Sequence, residues 1–454
     1  MTECQKRNSN SSHISLQIPK EIRVDFSGGN LSSDGGVMLL AQLDGNLGLT
    51  ERLASYVGEW RQEGKIQHSI VEMLRQRIFQ IACGYEDCND ANALRKDPVF
   101  KAAAGQCPES GKDLSSQPTL SRLENKATAR DVVRMSHELF EQFVRDNRGK
   151  TVTRIVIEPD ATEDELHGQQ EFAFYNAHYG CYCYLPLLVF ATVNDEKRQR
   201  LVAAVLRPSS VHTTKKTLST FRRIIRRLKE AFPQARIEFR ADGGFASPEL
   251  YALLEKHGVR YAIAMSKNDT LMKKAFPFRL ASSFQRQMTR QKSRVYGEFL
   301  YAAKTWKKVA RRVVVKAEFL RDGDENARFV VTNFPKMTPF EVYRYYTRRG
   351  DSENRIDEFK NQLKADRTSC ETFLANQFRL LLHAAAFVLM QALQDALEGT
   401  ELARAEVATI RVKLLKIAAL VKETVRNVWI RLSSAFPLQD LFWNLLGKIQ
   451  PAPV

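Results

Sequence analysis

The chain is 454 residues long, enough for two or three domains, and its 44% hydrophobic and 27% charged residues exclude wholesale disorder. A formal net charge of +17 calls for a polyanionic partner, with nucleic acid the first expectation. The longest apolar run, residues 380–393, carries His383 and Gln391 and is too short to cross a bilayer, the N-terminus shows no apolar signal region, and seven cysteines, an odd number, make no disulfide framework.

A cytoplasmic protein with no membrane partner is therefore expected. Cys83-x4-Cys88 and Cys181-x-Cys183 each lack a second pair at zinc-ligand spacing, so reduced thiols are the better reading.

Along the chain, residues 1 to about 20 read as a mobile tail, followed by "EIRVDFSGGNLSSDGG", a short strand and a Gly-rich turn. Ser69 is placed to cap a helix that runs to Gly84. More helices follow to about residue 148, with a polar helix-turn junction over 115–128, so residues 1–150 read as a mainly helical domain. At Val152 the texture changes to strands: "VTRIVIEPD" ends on Asp160, and "CYCYLPLLVFATV" and "RLVAAVLRP" suit a hairpin. A basic helix, about 214–232, leads into "RIEFRADGG", a strand ending on Asp242. Residues 151–266 thus form an α/β unit, and if its first and fourth strands are parallel neighbours, both aspartates emerge at their carboxyl ends.

Residues 267–335 read as a basic, β-rich insertion. From Lys273 to Lys316 there are thirteen Lys or Arg against one acid, Glu298, a local charge of +12. Trp306 sits there among Lys304, Lys307 and Lys308, with Arg311 and Arg312 close behind. Thr338-Pro339-x-Glu341 is a capping box with proline at the first helical position, and it opens residues 336–400, the second part of the core, with the helix that carries Glu353 and a long apolar helix. Residues 401–454 read as a basic helix, the strand "RNVWIRLS" and a short terminal helix.

The helix opened at Thr338 leads into "YYTRRGDSENRIDEFKNQLKADRTSC", residues 345–370. On a continuous helix Tyr346, Arg349, Glu353 and Lys360 fall at about 0°, 300°, 340° and 320°, one narrow arc. Gly350 lies inside the run and is a possible break. Two readings stay open: Arg349 and Glu353 as an ordinary i,i+4 ion pair, or Glu353 as an inward-facing carboxylate that does chemistry. Asp160, Asp242 and Glu353 together offer hard oxygen ligands of the kind that hold Mg²⁺, and two such ions suit in-line phosphoryl displacement. Each aspartate taken alone reads first as a turn or capping residue.

The order and spacing of these residues resemble the DDE transposases of bacterial insertion sequences, in the group marked by a Y-x2-R-x3-E-x6-K signature. "IEPDAT" looks like the first aspartate motif and "RADGGF" the second, and the likeness extends to "SSDGG", "GYEDCNDANALRKDP" and "LANQFRLLLHAAAF". The resemblance implies a ribonuclease-H-like core interrupted by a β insertion, an N-terminal DNA-end-binding domain, and two Mg²⁺ ions, replaceable by Mn²⁺, on Asp160, Asp242 and Glu353. It implies cleavage at the element's terminal inverted repeats, often through a DNA hairpin, and strand transfer into target DNA by a homodimer assembled on DNA. Arg349 and Lys360 would clamp phosphates and Tyr346 would position the end. Lys304, Lys307, Lys308, Arg311 and Arg312 would supply non-specific DNA affinity, and Trp306 is either a core anchor or a stacking partner for a displaced base. The alternatives are a catalytically inactive, transposase-derived DNA-binding protein and a metal-dependent nuclease that does not join strands.

Overall fold

"RIVIEPDA" and "RIEFRA", both rich in β-branched and aromatic residues, form neighbouring parallel strands, β1 (Arg154–Ala161) and β7 (Arg236–Ala241), with Arg154 opposite Arg236 and Ile157 opposite Phe239. The computed structural model describes residues 12–14, 20, 22–210, 217–306, 309–319 and 325–450, and the expected N-terminal tail lies largely outside them. Two compact units divide the chain, and neither is a single contiguous segment.

The larger unit, Gly48–Lys65 with Ser121–Ala392, is built on a mixed eight-stranded sheet. Between β1 and β7 the chain forms a small three-stranded sheet from β2 (Asp164–Glu165), β3 (Phe174–Asn176) and β4 (Cys181–Tyr184). It then returns to the large sheet as β5 (Leu187–Val193) and β6 (Arg200–Val205). The run expected as one strand, "CYCYLPLLVFATV", is therefore two, parted at Leu185-Pro186 and serving different sheets. After β7 come β8 (Arg260–Met265), β9 (Ser293–Tyr301), β10 (Arg311–Phe319) and β11 (Glu325–Thr332). The order across the large sheet is β9-β10-β11-β8-β7-β1-β5-β6, with β1, β7 and β8 mutually parallel and every other pairing antiparallel. The strands of the expected insertion, β9 to β11, thus extend the large sheet itself, because β11 pairs with β8.

Alternation along the strands sorts side chains to two covered faces. Ile155, Ile157, Phe239, Ile263, Val313, Val315, Phe329 and Val331 join one core together with Phe221, Ile224, Ile225 and Leu228 of helix α1 (Leu218–Ala231). Val156, Ala262, Val314 and Val330, the intervening residues, meet Val342, Tyr343 and Tyr345 of helix α2 (Pro339–Thr347) on the other face. Burial on both faces explains why these strands read as nearly continuous apolar runs. Within the second face Arg240 donates to buried Glu158 at 2.8 Å and to the Tyr345 carbonyl at 2.7 Å, so α2 is fastened to β7 by a charged bond as well as by packing.

Helix α2 has the expected capping box, Thr338 with Glu341 and Pro339 at the first turn. It ends at Thr347, and helix α3 (Gly350–Asp357) begins after a two-residue turn, passing into a π-helical stretch at Glu358–Gln362. Helix α4 (Phe373–Ala396) follows. It is apolar and long enough to cross a membrane, but 83% of its most apolar window is buried, as in a core helix. Gln377 and Gln391 on α4 reach the backbone beside the edge strand β6: Gln377 accepts from the Leu206 N–H at 2.6 Å, and Gln391 donates to the Gln199 carbonyl at 2.8 Å. An otherwise open sheet edge is covered there.

The smaller unit comprises the described residues of Met1–Leu47, Ile66–Leu120 and Leu393–Val454. Helices Val37–Leu47, Ile70–Ala82 and Gln439–Ile449 accompany a small antiparallel sheet of Val428–Leu432, Ala419–Glu423 and Leu31–Ser32. Ser69 caps the Ile70 helix as expected, accepting the Glu72 N–H. The "SSDGG" turn is a packing device. Gly35 and Gly36 donate their N–H groups to the Ile417 and Leu415 carbonyls at 2.8 and 3.1 Å, and a Cβ on Gly36 would lie 1.7 Å from the Leu414 carbonyl oxygen. Asp34 beside them is fully buried, bonded to Lys416 at 2.6 Å and to the Tyr85 hydroxyl at 2.9 Å. This division differs from the contiguous segments expected from the sequence, because the C-terminal strands complete a sheet begun by residues 31–32.

Candidate active site

The parallel ladder sets Ile157 opposite Phe239, and Asp160 and Asp242 each follow three residues later, at the carboxyl ends of these adjacent strands. Asp160 Oδ1 accepts the Ala161 N–H at 2.9 Å, and Oδ2 accepts Arg349 Nη1 at 2.7 Å. Asp242 caps the short turn Gly243–Phe245, accepting the Gly244 N–H at 3.0 Å, and Phe245 is buried beneath. The capping role expected of such an aspartate is real, and it orients the carboxylate.

Burial pushes the Asp160 carboxyl up to about 6, with the Asp242 charge adding to the effect and the Arg349 guanidinium opposing it. Arg349 is the hub. Burial disfavours its charge, but Asp160, Tyr346 and Asp242 more than compensate and hold its pKa above the ordinary value. Tyr346, half-buried one turn earlier, is raised by burial first and feels both Arg349 and Asp242. Asp160, Asp242, Tyr346 and Arg349 are thus gathered around one point.

Glu353 stands at the margin. Its carboxylate lies 3.5 Å from Arg349 Nη2 as an i,i+4 pair, and 67% of the side chain is exposed. The i,i+4 ion pair is what the structure shows, and the same guanidinium joins Glu353 on the helix to Asp160 on the sheet. Among the described residues, no three His, Cys, Asp or Glu side chains converge closely enough to hold a metal ion. Lys360, on the π-helical stretch, pairs with Glu163 at 2.7 Å and approaches the Thr162 hydroxyl at 3.5 Å, just beyond Asp160. The ideal-helix arc does not describe this arrangement, because the chain breaks at 348–349 and then widens into the π turn. Lys360 still reaches the site.

Glu163 and Asp164 were not expected here. Asp164 is fully buried, and among the described residues neither carboxylate oxygen has a hydrogen-bond partner, with the unpaired Thr368 hydroxyl nearby. Burial pushes its carboxyl up to about 8, helped by Asp366 and Glu163 and resisted by Thr368 and Lys360. Their sequence signal was the acid run "ATEDE" directly after Asp160.

Of the residues 304–312 expected to touch DNA, Trp306, Arg311 and Arg312 are engaged within the fold. Trp306 is only 5% exposed and packs edge-on against Tyr251 and Tyr301, with the Arg311 guanidinium over its ring. It is a core anchor, and the stacking alternative has no free ring face. Arg311 is buried and bidentate to Glu255 at 2.7 and 2.9 Å. Arg312 is half-buried, paired with Glu298 and bonded to the Phe334 and Met337 carbonyls at 2.6 Å each. Both arginines serve the fold: Arg311 holds Glu255 through Nε and Nη2, and Arg312 spends its guanidinium on Glu298 and two carbonyls. Lys304 is exposed, and Lys307 and Lys308 lie outside the described residues.

Comparison with known proteins gives the following. The family profile described as transposase DDE domain group 1 matches residues 15–454. No curated protein matches the chain. Among solved structures, the NurA nuclease from Sulfolobus solfataricus aligns over 62% of this chain and 96% of its own at 11% identity, with a TM-score of 0.22, too low to carry an argument.

Proposed function

The chain belongs to the group 1 DDE-domain transposases, and from that premise we propose that it cuts DNA at the ends of an insertion sequence and joins the freed ends to target DNA. The observation that carries the reading is the pairing of Asp160 and Asp242 at adjacent parallel strand ends with the Arg349 guanidinium between sheet and helix. The strand order β6-β5-β1-β7-β8, with only β5 antiparallel to its neighbours, supports a ribonuclease-H-like core, and β9 to β11 would be its insertion.

Asp160, Asp242 and Glu353 would hold the divalent ions, Mg²⁺ or Mn²⁺. The donor set fits, because all three offer hard carboxylate oxygens and the burial and charge that disfavour ionised Asp160 would be relieved by a cation. Such ions, when bound, polarise the scissile phosphate and lower the pKa of the attacking water. The protein's own part is to hold the strand: Arg349 and Lys360 supply cationic donors for phosphate oxygens, and Tyr346 fixes the end beside them. For Arg349 this means exchanging Asp160 and Glu353 for phosphate, and Glu353 is then free to turn inward.

Asp160→Ala, Asp242→Ala and Glu353→Ala are expected to lower cleavage by at least about 10³-fold while end binding persists, because the phosphate donors remain. Ca²⁺ should support binding with little turnover. Cleavage by the Glu353 variant at the wild-type rate would remove the assignment. Cleavage without joined products would favour a nuclease, and binding without any cleavage an inactive DNA-binding derivative.

A further inference from the structure

The helix Phe276–Thr289, between β8 and β9, lies against β9 and β10 with its polar side inward. At 100° per residue Phe276, Leu280, Phe284 and Met288 fall at about 0°, 40°, 80° and 120°, with Pro277 and Ala281 at about 100° and 140°. All six face solvent, and the four large side chains are 58%, 43%, 58% and 86% exposed. The opposite arc meets the sheet. The Phe278 ring fills the place of a side chain at Gly297 on β9, where a Cβ would stand 2.0 Å from it. Ser282 is fully buried; Ser293 Oγ accepts its hydroxyl at 2.8 Å and donates to its carbonyl at 2.6 Å. Arg279 forks onto Glu325, and the Arg286 guanidinium lies over the Phe319 ring. A surface helix ordinarily buries its apolar arc. Here specific polar bonds hold the helix the other way round, and the apolar arc is left facing out.

The chemistry of the arc narrows what covers it. Its one polar residue is Gln287, at about 20°, and it carries no charge. Arg279 and Arg286 are turned to the sheet, and the exposed Lys273, Lys274 and Arg290 stand beyond its two ends. DNA and anionic lipid are held by cations set among the apolar groups, which this face lacks. The arc does match itself. Phe276, Leu280, Phe284 and Met288 form one i±4 ridge, and two such ridges interlock at about −50°, the commonest helix packing. The ridge is symmetric about the level of Ser282, so an antiparallel two-fold sets Leu280 of one copy against Phe284 of the other. The crossing draws the helix ends apart and keeps Lys274 of one copy from Arg290 of the other. Covering the four side chains removes on the order of 500 Å² per copy, about 1,000 Å² per pair, which reaches the lower bound of a specific interface.

We propose that the outward face of Phe276–Thr289 is a self-complementary interface through which two copies of this chain pair without DNA. The pairing is independent of any chemistry at Asp160 and Asp242.

The test is sedimentation velocity of the full-length, DNA-free protein over about 1–100 μM, where a monomer–dimer equilibrium in the micromolar range is expected. Raising salt from about 0.1 to 0.5 M should leave the dimer as tight or tighter, because the contact is apolar and only the flanking cations are screened. Leu280→Glu and Phe284→Lys should each weaken pairing by at least about 10-fold. Their equal mixture should pair again, since the new carboxylate of one copy meets the new ammonium of the other while the second Leu–Phe contact survives. Gln285→Lys, exposed but outside the arc at about 180°, should pair like the wild type. All three positions are exposed, so circular dichroism should be unchanged. The proposal is overturned if the wild type stays monomeric at about 100 μM or pairs only when DNA is added, if salt dissociates the dimer, or if Leu280→Glu pairs at wild-type strength. A mixture that remains monomeric overturns the antiparallel register. A monomeric wild type that sediments with phosphatidylcholine vesicles, and loses this with Phe284→Lys, gives the face to a lipid surface instead.

Discussion

The Arg349 guanidinium bonds to Asp160 at 2.7 Å and thereby ties the turn between α2 and α3, late in the chain, to strand β1 inside the sheet. It does so as a fork, one arm to Asp160 and the other 3.5 Å from Glu353. Lysine has the charge without the fork.

Arg349→Lys should therefore rescue little. Cleavage of an end substrate is expected to fall by about 10- to 10²-fold, with thermal unfolding nearly unchanged. Wild-type turnover in the lysine variant would reduce Arg349 to a generic positive charge.

Asp164 predicts a pH dependence of stability. Its folded pKa, about 8, lies above the unfolded carboxylate value, so between about pH 4 and pH 8 the native state keeps a proton that the unfolded chain has released. Stability attributable to this proton is complete below about pH 4 and is lost as pH rises towards 8. Asp164→Asn should match the wild type near pH 4 and exceed it by about 2–4 kcal/mol at pH 8. Urea unfolding of both proteins across that range, in chelator, measures the divergence, and a pH-independent difference would contradict it.

Trp306→Ala removes a ring packed against Tyr251, Tyr301 and Arg311. A loss of about 3–5 kcal/mol in folding stability is expected, largely recovered by Trp306→Phe. Cleavage per folded molecule should not change. A stable alanine variant that fails only at second-strand cleavage would return the residue to the DNA.

Two glycines in the smaller unit should respond with opposite signs. Gly36→Ala drives a Cβ into the Leu414 carbonyl and should cost about 1–3 kcal/mol or more, whereas Gly45, exposed in the Val37–Leu47 helix with nothing near its missing Cβ, should gain about 0.5–1 kcal/mol as alanine. Denaturant midpoints of the two variants decide it.

Local chemistry made the strand ends legible: β-branched runs closing on Asp160 and Asp242, and the capping box at Thr338, are written within a few residues each. What the sequence did not disclose was long-range. The pairing of β11 with β8, the sharing of one small sheet by residues 31–32 and 419–432, and the partners of Arg311 and Arg312 all depend on segments far apart in the chain. The geometry around Glu353 was obscured for a different reason, since a turn at 348–349 and a π stretch at 358–362 leave no constant angle per residue to extrapolate. Tyr182 passed as an ordinary residue of the expected strand "CYCYLPLLVFATV" because nothing local says which face of a ribbon will be left open.

The continuity of β9, β10 and β11 with β8, β7 and β1 has an evolutionary consequence. A segment looped out from a finished sheet could be trimmed away with little harm, but this one forms the boundary of the sheet. Excising it would leave β8 as a raw edge, apolar and in the middle of the core, ready to recruit a strand from any neighbouring molecule. Shortened descendants of this chain should therefore survive by losing other parts first, and an internal deletion spanning β9 to β11 should be selected against as an aggregating protein before it is selected against as a poor enzyme.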